Sequence, residues 1–139
     1  MSYVSLQLAK KNFEEFDMDY NYIKNILEQI VNSYKKLKEI RDKSGDLDVI
    51  KKELDKIQGL VKVVVNKIEE SGNYSDIYSE LMVASKSYLR DHNFYTEIDR
   101  ISQLYSEDSH RIKNIRLSIL SALEESKLIS KTIALLQVL

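Results

Sequence analysis

The chain is 139 residues long with a formal net charge of −1, 43% hydrophobic and 31% charged residues, no cysteine and no proline. That composition fits one heavily charged helical domain with room for a core, and argues against disorder. Without cysteine there is no disulfide framework, no thiolate metal site and no cysteine nucleophile. With only Gly45, Gly59 and Gly72 and no proline, a sandwich or barrel lacks its turn residues.

Apolar residues from Leu6 to Leu37 recur in alternating steps of three and four: Leu6, Ala9, Phe13, Phe16, Tyr20, Ile23, Leu27, Ile30, Tyr34, Leu37. This is the seam of a heptad on one helix face. A helix covering it would be roughly 50 Å long, so it must pack on other helices. The unbroken phase through Asp17-Met18-Asp19 favours one helix from about Ser5, ending at Lys43-Ser44-Gly45-Asp46, where the glycine suits a left-handed cap.

Asp46 and Asp48 suit the start of a second helix, whose stripe is Leu47, Ile50, Leu54, Ile57, Val61, Val64, Ile68. Leu60, Val63 and Val65 widen its apolar surface, so this helix is expected to sit deepest. Gly59 lies inside it, which suggests a close backbone approach. Ser71-Gly72-Asn73 closes it.

The third helix carries Tyr74, Ile77, Leu81, Ala84 and Tyr88, then changes phase at Asp91-His92-Asn93 to Phe94, Ile98, Ile101 and Tyr105. That is a stutter or a break capped by Asn93, and the reading favoured is a continuous, bent helix. After Ser106-Glu107-Asp108-Ser109 the last helix shows one set at Ile112, Ile115, Ile119, Ala122, Ile129, Ile133, Leu136. A second set stands beside it at Leu117, Leu120, Leu123, Leu128, Leu135.

The fold expected is therefore all-α, an antiparallel bundle of four long helices over about 5–43, 46–71, 75–106 and 109–138, with a bend near 91–93. It forms one domain over 1–139, and the apolar C-terminal stretch leaves open that this is a fragment of a larger chain. Charge supports the order. Residues 1–34 hold 3 basic and 5 acidic residues, 35–71 hold 10 and 8, 72–108 hold 3 and 7, and 109–139 hold 5 and 2. The sign alternates, as it would if sequence neighbours were also spatial neighbours.

Reactive chemistry is sparse. A di-iron bundle needs two Glu-x-x-His pairs. Here Glu107 to His110 is one such spacing, in an expected loop, and His92 has Leu89 at the corresponding place. No metal, cofactor or catalytic residue is assigned. Phosphate loops, dinucleotide glycine motifs and nucleophile elbows are absent, and Glu14-Glu15, Glu69-Glu70 and Glu124-Glu125 diverge by about 100° around a helix. Tyr95 to Asp99 matches the Tyr-x-x-x-acid pattern of type VII secretion substrates without their Trp-x-Gly turn, and no membership follows.

Two functions remain. The favoured one is a non-enzymatic protein–protein interaction module, an adaptor, chaperone-like partner or assembly subunit, whose partner is another protein or a second copy. One stripe per helix fills a bundle, so Leu60, Val63, Val65, Leu117, Leu120, Leu123, Leu128 and Leu135 are surplus and become the expected interface. Tyr22, Tyr78 and Tyr95 lie off the seams and extend that expectation, whereas Tyr20, Tyr34, Tyr74, Tyr88 and Tyr105 are read as core.

The alternative is a nucleic-acid contact through Arg111, Lys113 and Arg116, helped by Lys127 and Lys131, where cations at a helix start oppose the dipole. The competing explanation is pairing with Asp99, Glu107 and Asp108. No membrane span or signal peptide is evident, and the expected location is the cytoplasm.

Overall fold

The computed structural model describes residues 17–139, with side chains from Asn21 onward. The expected helix start near Ser5, the seam positions Leu6, Ala9, Phe13 and Phe16, and the Tyr20 ring lie outside these. The described residues form six helices: α1 Asp17–Glu39, α2 Asp46–Ser71, α3 Asp76–Asp91, α4 Tyr95–Leu104, α5 Ser109–Glu125 and α6 Leu128–Val138. The all-helical expectation holds; the count of four does not, because two of the expected helices are each divided.

The first division falls at His92-Asn93-Phe94. His92 is extended, and the Asn93 side chain accepts a hydrogen bond from the Tyr95 amide at 3.1 Å. A bent continuous helix is thus corrected to a break. Its cause is local: a short amide side chain offers the backbone a turn just where the apolar stripe changes phase.

The second division falls at Ser126-Lys127. Lys127 sits in the left-handed region at φ 67°, and its amide bonds the Glu124 carbonyl at 3.0 Å. The sequence pattern explains why a break is useful here. A continuous helix would carry Ile133 inward with Ile129 and Ala122. In the structure Ile133 is 38% exposed, while Leu128, Thr132 and Leu135 are buried. The break resets the phase and draws Leu128 and Leu135 of the second apolar set into the core.

Hydrogen bonds and ion pairs set the directions. Lys36 reaches Glu53 at 3.7 Å and Lys67 lies over the Tyr22 ring at 5.7 Å, so α1 and α2 run antiparallel. Tyr95 hydrogen-bonds to Asp55, and Lys51 meets Asp99 at 3.8 Å, so α4 also runs antiparallel to α2. Tyr34 donates to Glu124 and the Leu37 carbonyl accepts from Arg116, which makes α5 antiparallel to α1.

The packing forms two tiers that share α1 and α2. In one tier α3 and α6 close the ring, with α2 against α3, α3 against α6 and α6 against α1. In the other, α4 and α5 close it, and α5 also crosses to α2. The core runs through both. Every stripe residue of α2 is buried, together with Ile23, Leu27, Ile30 and Leu37 of α1 and Ile112, Ile119 and Leu123 of α5.

Cross-helix ion pairs Lys86–Glu69 at 3.0 Å and Lys131–Glu80 at 3.1 Å tie α3 to both its neighbours. In the first of these the lysine comes from the net-acidic segment, so the alternation of charge describes the pairing only coarsely. Gly59 is exposed, and a Cβ there would meet nothing within 4 Å; the expected close approach is absent. Gly45 does adopt the left-handed conformation, at φ 91°, but it leads into α2, six residues beyond the end of α1 at Glu39.

Candidate interaction surface

Arg116, offered by the sequence either as a nucleic-acid contact or as a partner of Asp99, Glu107 and Asp108, is 8% exposed. Its guanidinium grips the Asp42 carboxylate through Nε at 2.7 Å and Nη2 at 2.9 Å, and its Nη1 donates to the Leu37 carbonyl at 3.1 Å. Asp42 is itself buried and holds φ 61°, a conformation that an aspartate tolerates better than most residues. The bidentate pair pins the segment after α1 against α5, and it also satisfies one of the carbonyls left open at the end of α1. The Asp42 hydrogen bonds hold the Arg116 pKa above its usual value despite burial.

Arg111 is also engaged. Its guanidinium lies 3.6 Å from the centre of the Tyr105 ring and its Nε is 3.5 Å from Asp108. Asp108 caps α5, accepting from the His110 and Arg111 amides, both at 3.1 Å. The basic start of α5 is thereby stabilised from within the chain, as the competing explanation anticipated for Asp108 but not for Asp42. Of the three expected nucleic-acid residues only Lys113 is exposed, which leaves the nucleic-acid reading without support.

The expected apolar interface divides. Leu120, Leu123, Leu128 and Leu135 are buried in the chain's own core, a correction: Leu120 and Leu123 widen the buried face of α5 itself, and the phase reset at Lys127 turns Leu128 and Leu135 inward. Leu60, Val63 and Val65 are half-buried on α2, and Leu117 is 43% exposed on α5. Among the tyrosines, Tyr88 is buried, and Tyr34 and Tyr105 are half-buried, whereas Tyr74 stands 71% exposed just before α3 and leaves the core. Tyr22 is exposed on α1; Tyr78 and Tyr95 are half-buried and pack on the core.

Beside the α3–α4 break lies a surface groove of about 520 Å³, lined by His92, Phe94, Asn114, Leu117, Ser118, Ser121, Ala122 and Glu125. The His92 and Phe94 rings stack nearly parallel, 6.0 Å apart, and form one wall. The exposed face of α5 forms the other. The groove lies where the α3–α4 break faces the exposed side of α5. Sequence reasoning missed it, since the serines of α5 read only as a solvated face. Among the described residues no group of three or more His, Asp or Glu side chains could hold a metal ion, and no helix is long and apolar enough to cross a membrane.

The described residues thus define an all-α helical chain with a tightly pinned interior and partly exposed apolar side chains on α2, α3 and α5. Residues 14–94 match the family described as vacuolar protein sorting-associated protein 53 C-terminus, and the chain belongs to that family. The match covers more than half of the chain and ends at Phe94, within the α3–α4 break; α4, α5 and α6 lie beyond it. No curated protein and no solved structure matches the chain.

Proposed function

We propose that this chain is a non-enzymatic subunit element of a vesicle-tethering assembly that works by protein–protein contact. The family membership carries this reading: the vacuolar protein sorting-associated protein 53 family contributes helical subunits to a multi-subunit tethering complex and is not known for enzymatic activity. The matched helices also present apolar side chains to solvent. Val83 is 70% exposed on α3, Tyr74 is 71% exposed just before that helix, and α2 offers the half-buried Leu60, Val63 and Val65. Apolar side chains left open to solvent are available to a partner, and contact surfaces form where such side chains are contiguous. The proposed place of action is the cytoplasmic side of a trafficking membrane, reached by association with other subunits.

The experiment is affinity capture of tagged chain from its source cell, compared with the Val83→Lys and Tyr74→Lys variants. The expected result is enrichment of trafficking-complex subunits with wild-type chain and their loss with at least one variant. Capture of no such subunit by a folded chain overturns the reading.

A further inference from the structure

The face of α5 that points away from the core carries His110, Asn114, Leu117, Ser118, Ser121 and Glu125, all exposed. Their spacing is the same read from either end. Charge on this helix also runs against its dipole: the first turn has no acidic residue and the last no basic one, while His110, Arg111 and Lys113 open it and Glu124 and Glu125 close it. Internal contacts answer part of this, through Asp108 for Arg111 and Tyr34 for Glu124. Lys113 and Glu125 have no ion-pair partner among the described residues.

We propose that this face is covered by α5 of a second copy of the chain, laid antiparallel across the first about a two-fold axis. An antiparallel pair sets the basic start of each α5 against the acidic end of the other, twice over, and so resolves both misplaced charges at once. Centred between Leu117 and Ser118, the register lays each Leu117 over Ser118 of the other copy. His110 then stands opposite Glu125, and Lys113 lies within a turn of the same carboxylate. Ser118 and Ser121 are small enough to let the helices approach closely, and the stacked His92 and Phe94 rings wall the groove in which the partner helix rests.

A partner of another kind would call for neither the reversed charge nor the symmetric spacing. A 17-residue helix is only about 25 Å long, so the contact is small and the dimer reversible. The proposal is independent of the tethering reading, which rests on the residues up to Phe94.

Sedimentation equilibrium of the purified chain over a range of concentration and salt tests it, with circular dichroism to verify that each variant keeps its helix content. The expected result is a monomer–dimer equilibrium that weakens with salt. Glu125→Lys and Lys113→Glu should each weaken it about tenfold, and the double variant should restore it, because the exchanged charges pair again. Leu117→Lys should abolish it. A monomer at every concentration overturns the proposal, as does a dimer indifferent to Leu117→Lys or a double variant no tighter than the singles. A monomeric wild-type chain that captures subunits only while Leu117 is intact would overturn it in favour of a different occupant.

Discussion

Arg116 was read in the sequence either as a nucleic-acid contact or as a partner of Asp99, Glu107 and Asp108; it is instead buried and donates to the Asp42 carboxylate and the Leu37 carbonyl. A bidentate pair of this kind is a poor source of net stability, yet breaking one side of it is expensive because the other charge stays buried. Arg116→Ala should therefore lower unfolding free energy by about 3–5 kcal/mol in urea titration. Arg116→Ala with Asp42→Ala should cost less than the two single changes added together. The tyrosines carry the pH dependence. Burial, then the hydrogen bond to Glu124 and the charge of Glu124, push Tyr34 up to about 12 from its ordinary 10.0. Burial raises Tyr88 further, and burial with Asp55 raises Tyr95.

Each of these groups is held neutral more strongly in the folded chain than in the unfolded one. The stability they contribute is thus complete below pH 10 and is lost as pH climbs from there toward the raised values. Phenolate absorbance should rise in two phases, with a late class that merges with the early one in denaturant. A single phase at the ordinary value in the native chain would contradict the structure.

At the scale of elements, each helix is defined as much by what ends it as by its stripe. Asn93 ends one run by turning its own backbone, and Lys127 ends another by taking a conformation usually left to glycine. Gly59 shows the opposite case, a glycine with no task in the structure. It lies on the exposed side of α2 with empty space beside it, so Gly59→Ala should stabilise the chain by about 0.5–1 kcal/mol through helix propensity alone. Thermal unfolding measures this directly, and a loss of stability would mean that something packs on that face in solution.

Over the whole molecule, the two tiers cannot be separated. The residues that match the family supply α1, α2 and α3, but their apolar faces are closed by Ile98, Ile101, Ile112, Ile119, Leu123, Leu128 and Leu135 from beyond the match. A chain truncated after Phe94 should accordingly lose its cooperative thermal transition, and the full chain should unfold in one step. A cooperative transition in the truncated chain would show that α1 to α3 form a folding unit by themselves.

The helices and their inward faces were legible because burial on a rod obeys a short-range rule: an apolar residue every three or four positions marks the side that leaves water. Ile23, Leu27, Ile30 and the whole stripe of α2 follow it without exception. Which of two competing faces wins at Leu128, Ile133 and Leu135, and whether Arg116 meets water or Asp42, is outside the reach of such a rule. For Arg116 the deciding groups, Asp42 and Leu37, lie 74 and 79 residues away in the chain. Local periodicity settled what each segment must hide. Only the tertiary arrangement decided what it is hidden against, because desolvation and pairing are properties of neighbours in space.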